Sequence, residues 1–125
     1  MEEVQIVSNT EESRRIAYLE DQVTGNCYGI PEGCWSIGRK DDIPLNIPIE
    51  TDDLYMSRKH AYIWLKKNII GEYSLFIRDT ISRLNRTEVN GIPIDQAYDY
   101  QVYDKDIINM GRTDLVVHLN PVYAV

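Results

Sequence analysis

Three short stretches carry side chains suited to holding a small anion: Gly38-Arg39, Ser57-Arg58-Lys59-His60-Ala61 and Asn85-Arg86-Thr87-Glu88-Val89-Asn90-Gly91. Each sets a turn-forming residue beside a cation, a hydroxyl or an amide. Arg39 is the first candidate, because a planar, permanently charged guanidinium makes paired hydrogen bonds to phosphate oxygens that an ammonium cannot reproduce. Gly38 before it allows a tight turn or a close approach of the ligand, and Arg39 is expected to face solvent. Ser57 adds a hydroxyl, and Ser57-Arg58 adds a backbone N–H and a second cation. Ser57 and His60 also admit a reading as nucleophile and base, but no acidic partner or oxyanion motif accompanies them. The chemistry expected is binding of phosphate without catalysis.

These loops need a scaffold that brings them to one end. From Arg14 onward, short apolar runs alternate with turn residues every eight to twelve positions, the spacing of an all-β sandwich. Strands are expected over Ile16–Leu19, Asn26–Ile30 and Trp35–Ile37. In Ala61-Tyr62-Ile63-Trp64-Leu65, the first, third and fifth side chains share one face, and Tyr73–Ile77 alternates likewise. Residues 66–71 are expected as the loop between these two strands. The run Ile43–Ile49 is apolar but broken by Pro44 and Pro48, so it is at most an edge strand or an extended connection. A last pair is expected over Asp106–Met110 and Asp114–Leu119, with Leu115, Val117 and Leu119 facing the core. Asn90-Gly91 is a strong turn signal, since both residue types tolerate positive φ.

The chain has 125 residues, enough for one domain with a single core. A polar tail is expected over residues 1–13, the domain over 14–120 and a short tail over 121–125. The formal net charge of −7 repels nucleic-acid backbones and anionic membranes. Within that acidic background, Arg39, Lys40, Arg58, Lys59, Arg83 and Arg86 are six of the thirteen Lys and Arg residues, all in or beside the three loops. No apolar stretch is long enough to span a membrane and no signal peptide is recognisable, so a cytoplasmic setting is expected. Pro31-Glu32-Gly33 reads as a hairpin turn that sets Ile30 opposite Cys34 and leaves Cys27 nearer Ile37. That register keeps the two cysteines apart, so both are expected as free thiols. The two histidines are far apart and no Cys/His spacing fits zinc. No metal or other cofactor is expected.

The order and spacing of Gly-Arg, Ser-Arg-x-His-Ala and Asn-x-Thr-x-x-Asn-Gly resemble the forkhead-associated domain, a β-sandwich module that recognises phosphothreonine in partner proteins. The resemblance runs from about Arg14 to Leu119 and includes Asp104–Gly111, which looks like the family's late turn and strand. It implies a two-sheet antiparallel sandwich of roughly ten to eleven short strands, with ligand loops at one end. It further implies that Arg39, Ser57, Arg58, Asn85 and Arg86 bind the phosphopeptide, with Asn85 fixing its backbone. Gly38, His60, Thr87, Asn90 and Gly91 would support the site, His60 by tying its loop to the scaffold. The partner class implied is a phosphothreonine-containing protein in serine/threonine-kinase signalling. A phosphate-independent protein scaffold on the same sandwich is the alternative. Three positions depart from the family pattern: Arg86 stands where glycine is usual, Leu84 where Ser or Thr is frequent, and Tyr55 where some members carry arginine. If the family backbone required positive φ at residue 86, arginine there would be strained by about 1 kcal/mol. Arg83 and Arg86 beside Asn85 imply a preference for acidic residues C-terminal to the phosphothreonine.

Overall fold

The computed structural model describes residues 4–80 and 85–120, which form two stacked sheets. The strands are β1 (Ala17–Asp21), β2 (Cys27–Ile30), β3 (Gly33–Arg39), β4 (Ile47–Ile49), β5 (Ala61–Lys67), β6 (Tyr73–Asp79), β7 (Glu88–Val89), β8 (Ile92–Pro93), β9 (Tyr100–Val102), β10 (Ile107–Met110) and β11 (Thr113–Leu119). One sheet has six strands in the order β2-β1-β11-β10-β7-β8, and the other has five in the order β4-β3-β5-β6-β9. The expected all-β sandwich is therefore the observed fold.

Alternation decides which residues enter the core. Ala61, Ile63 and Leu65 of β5 pair with Asp79, Ile77 and Leu75 of β6, and all six side chains are buried between the sheets. Leu115 and Val117 of β11 are fully buried opposite Asp21 and Leu19 of β1. Burial of the isoleucines 30, 37, 47, 49, 63, 77 and 108 contributes about 1.5–3 kcal/mol each before the entropy of ordering is counted. The proline-broken run supplies β4, which lies parallel to β3 at the sheet edge with Gly38 opposite Pro48. An edge strand tolerates the missing N–H because one side of its backbone has no strand to bond.

Two expectations change. Residues 31–33 do not close a hairpin, since β2 pairs with β1 in one sheet while β3 pairs with β5 in the other. Gly33 takes φ 134°, and the Trp35 indole N–H donates to the Pro31 carbonyl at 2.7 Å, so this segment is a corner between sheets. Cys27 and Cys34 are free. The stretch read as a polar tail is also docked from residue 5. Val7 N–H donates to Asn46 O at 2.9 Å, Gly29 N–H to Ser8 O at 3.0 Å, and a 3-10 turn spans Glu12–Arg14. Backbone hydrogen bonds, with Val7 alone packing on the core, hold this segment without an apolar period, which is why composition does not reveal it.

Candidate functional site

The ends of β3, β4, β5 and β6 place residues 39–42, 50–60, 80 and 85–87 at one end of the sandwich. Arg39 closes β3. Its N–H donates to Ser57 O at 3.0 Å, and His60 N–H donates to Ile37 O at 3.0 Å, so the 50–60 loop is stitched along the strand. Gly38 is required by that stitching. A Cβ there would collide with the carbonyl oxygen of Arg58 and come within 2.6 Å of that of Ser57. The close approach is made by the chain's own backbone, at a φ that is not positive.

The Arg39 side chain is 18% exposed, not solvent-facing as its loop position suggested. Its Nε donates to Met56 O at 3.0 Å, which fixes the guanidinium plane, and Nη1 donates to Asp41 Oδ2 at 2.9 Å. Arg58 is exposed and its Nη1 reaches Asp42 Oδ1 at 2.7 Å. Ser57 is half-buried, and its hydroxyl makes no hydrogen bond among the described residues.

His60 braces this loop from below. The ring is fully buried, and Nδ1 accepts the Ser57 N–H at 2.9 Å. A neutral imidazole that accepts at Nδ1 carries its proton on Nε2, and Nε2 has no partner among the described residues. Burial pushes the His60 pKa below the usual histidine value, against the opposing pull of Asp79 and Asp53. The His60 carbonyl accepts from both the N–H and the hydroxyl of Thr80.

Asp53 is a second brace, which the sequence reading missed. Its Oδ1 accepts the Tyr55 N–H at 2.9 Å, and its Oδ2 accepts the Arg112 N–H and the Thr113 hydroxyl, both at 2.7 Å. Burial alone would raise its pKa, but the hydrogen bonds from Thr113, Arg112, Tyr55 and Met56 outweigh it and hold the carboxyl below its ordinary value. Gly111, at φ 66°, approaches Tyr55 and Met56 so closely that a Cβ would meet the Tyr55 carbonyl carbon at 2.5 Å. The Arg112 guanidinium lies 3.9 Å from the centre of the Tyr55 ring. The only prior signal for Asp53 is an Asx turn, in which the carboxylate caps an N–H two residues on.

The third stretch is more dispersed. Asn85 is half-buried and Arg86 exposed. Thr87 is fully buried, with its hydroxyl donating to Asp79 Oδ1 at 2.8 Å. Among the described residues outside glycine, only Asn90 and Lys105 have positive φ, so Arg86 carries no such strain. Asn90 and Gly91, at φ 52° and 81°, form the two-residue turn between β7 and β8. Asn90 Oδ1 accepts the Ile107 N–H at 2.9 Å, and its Nδ2 donates to Asp106 at 3.1 Å. This pair thus belongs to the start of β10, away from the Arg39 loops. Arg83 and Leu84 lie outside the described residues. A cleft of about 450 Å³ borders the other side of the 50–60 loop, between Val23, Leu54, Tyr55 and Arg112, and none of Arg39, Ser57 or Arg58 lines it.

Fold and site together define a β-sandwich binding module with an arginine, a hydroxyl and a second arginine gathered on one braced loop end. The FHA domain family matches residues 35–111, and the chain belongs to that family. As an FHA domain it is a non-catalytic binding module. The protein FhaA of Mycobacterium tuberculosis is 29% identical over 101 residues, which are 80% of this chain and 16% of FhaA. The chain thus spans about a sixth of that relative's length. A structure solved for phosphothreonine-dependent FHA domain interactions superposes with a TM-score of 0.69 at 26% identity, covering 86% of this chain and 99% of that one. The FhaA FHA domain complexed with the intracellular domain of Rv3910 gives a TM-score of 0.65 at 27% identity, covering 82% and 99%.

Proposed function

We propose that this domain binds phosphothreonine in partner proteins and recruits them in serine/threonine-kinase signalling. The observation that carries the reading is the convergence of Arg39, Ser57 and Arg58, joined by the Arg39 N–H to Ser57 carbonyl bond and oriented from below by His60. A phosphothreonine brings a charge of about −1.5 to −2 and three acceptor oxygens. A guanidinium has five N–H donors; Arg39 commits Nε to Met56 and one Nη1 hydrogen to Asp41. The Ser57 hydroxyl and the Arg58 guanidinium would complete the cradle. Asn85 would hold the flanking peptide backbone, and Arg86 would favour acidic residues beyond the phosphothreonine. Among known proteins, the structure solved for phosphothreonine-dependent FHA interactions supports the ligand class. A cytoplasmic setting suits the two free thiols at Cys27 and Cys34.

One observation favours the alternative, a phosphate-independent scaffold. Tyr62, Trp64 and Phe76 lie on the outer face of the five-stranded sheet and are each at least partly exposed. Titrating a degenerate library centred on phosphothreonine against its threonine twin separates the two readings. Binding confined to the phosphorylated library is expected, whereas equal affinity for both would transfer the function to the aromatic face.

A further inference from the structure

Arg39 and Arg58 are both occupied by the chain itself. Asp41 Oδ2 takes Arg39 Nη1 at 2.9 Å, and Asp42 Oδ1 takes Arg58 Nη1 at 2.7 Å. The two residues are consecutive in sequence, and the Asp41 carboxylate holds the Asp42 backbone, its Oδ1 accepting the Asp42 N–H at 2.8 Å. Jointly they carry two negative charges to two guanidiniums, which is close to the charge that a phosphate dianion would deliver. We propose that Asp41 and Asp42 are intramolecular occupants of the anion site and set its specificity: a ligand must replace both carboxylates, so dianionic phosphate is accepted and a lone carboxylate is rejected. This rests on the phosphothreonine reading and adds the residues that decide which anions enter.

The geometry fits displacement rather than permanent structure. Asp41 is 41% exposed and Asp42 75% exposed, and exposed ion pairs are weak and screened by salt. The Arg39 bond to Met56 O uses Nε, a different nitrogen from the Nη1 that Asp41 takes, so Asp41 can be exchanged for phosphate without breaking the bond that fixes the guanidinium plane. A monoanionic glutamate side chain offers one carboxylate in exchange for two. A phosphate offers three oxygens and about twice the charge. Asp41 is also well suited to persist as an ion, since the Asp42 N–H and then Arg39 lower its pKa from the ordinary aspartate value.

The test compares wild type, the double variant D41N/D42N and the single variant D52N with three degenerate peptide libraries centred on phosphothreonine, glutamate or threonine. Asparagine retains an amide oxygen that can still accept the Asp42 backbone N–H, so the turn is preserved. Asp52 is exposed in the neighbouring loop, and D52N measures what the loss of a nearby negative charge does by itself. Expected for D41N/D42N is a three- to tenfold tighter affinity for the phosphothreonine library than D52N shows, together with measurable binding of the glutamate library, which wild type ignores. Affinity equal to that of D52N, or weaker than wild type, would overturn the proposal and make the carboxylates supports that position the arginines. Equal binding of all three libraries by wild type is a different result: it would remove the phosphothreonine reading and this inference with it.

Discussion

The two ends of the sandwich solve the same problem, joining β-strands, by different means. At one end, residues 68–72 link β5 to β6, and Asn68 closes the turn alone, its Oδ1 accepting the Ile70 and Glu72 N–H groups. Ile69 and Ile70 are exposed there, and among the described residues the turn bonds only to itself. At the other end, the 50–60 loop draws on β3 through Arg39 and Ile37, on a buried imidazole, and on the β10–β11 turn through Asp53. A connector needs only local hydrogen bonds. A loop that must hold an arginine, a hydroxyl and a backbone in fixed relation needs partners from distant parts of the chain, because preorganised donors lose little freedom when the ligand arrives.

The largest contrast should come from removing one brace at each end. His60→Ala loses a buried ring and leaves the Ser57 N–H unpaired, so a loss of about 3 kcal/mol is expected, with phosphopeptide binding abolished. Asn68→Ala should cost about 1 kcal/mol and leave binding intact. Chemical denaturation and calorimetry on both proteins check this; equal losses would erase the distinction between the ends. The glycines give the next contrast. Gly38→Ala forces a Cβ into the backbone of Ser57 and Arg58 and should cost about 2 kcal/mol with weakened binding. Gly71→Ala, at φ 89°, should cost about 1 kcal/mol and leave binding unchanged.

Arg39→Ala sharpens the comparison by separating binding from stability. Losing a charge-assisted phosphate contact should weaken binding by about 2 kcal/mol, roughly thirtyfold. Losing the bond to Met56 O should lower stability by about 1 kcal/mol, and unchanged affinity in the folded variant would remove the phosphate assignment. A pH titration of stability probes the same end. His60 has a lower pKa folded than unfolded, so its contribution is complete above about pH 6.5 and is lost as pH falls from there towards the native value. His60→Ala should lack that decline, which urea melts between pH 7 and pH 5 would show. The smallest effect expected is from Arg86→Gly, a two- to threefold loss of preference for acidic residues after the phosphothreonine, read on an oriented phosphopeptide array.

Much of this was legible in the sequence. Period-two alternation in Ala61–Leu65 and Asp114–Leu119 fixes which side chains enter the core, and two prolines mark β4 as an edge. Gly38-Arg39 and Ser57 through His60 identify the loop end because each residue type has a narrow use there. Long-range partners left no local mark. The bond from Asp53 to Arg112 and Thr113 spans some sixty residues, and one aspartate among many gives no hint of it. The corner at residues 31–33 has the composition of a hairpin, and only strand pairing tells a change of sheet from a reversal within one. The docked residues 5–13 carry no apolar period because main-chain hydrogen bonds make much of their attachment, with Val7 the side chain that packs on the core.

Asp53 belongs to a loop of the five-stranded sheet, yet it grips a turn of the six-stranded sheet. The two layers of the sandwich are therefore stapled at the edge where the ligand would sit. Anything that stiffens the 50–60 loop also raises the free energy of parting the layers there, by the linkage between binding and local opening. An occupied site would make itself felt across the interface, in slower solvent exchange of the Arg112 amide proton, without any strand changing its place.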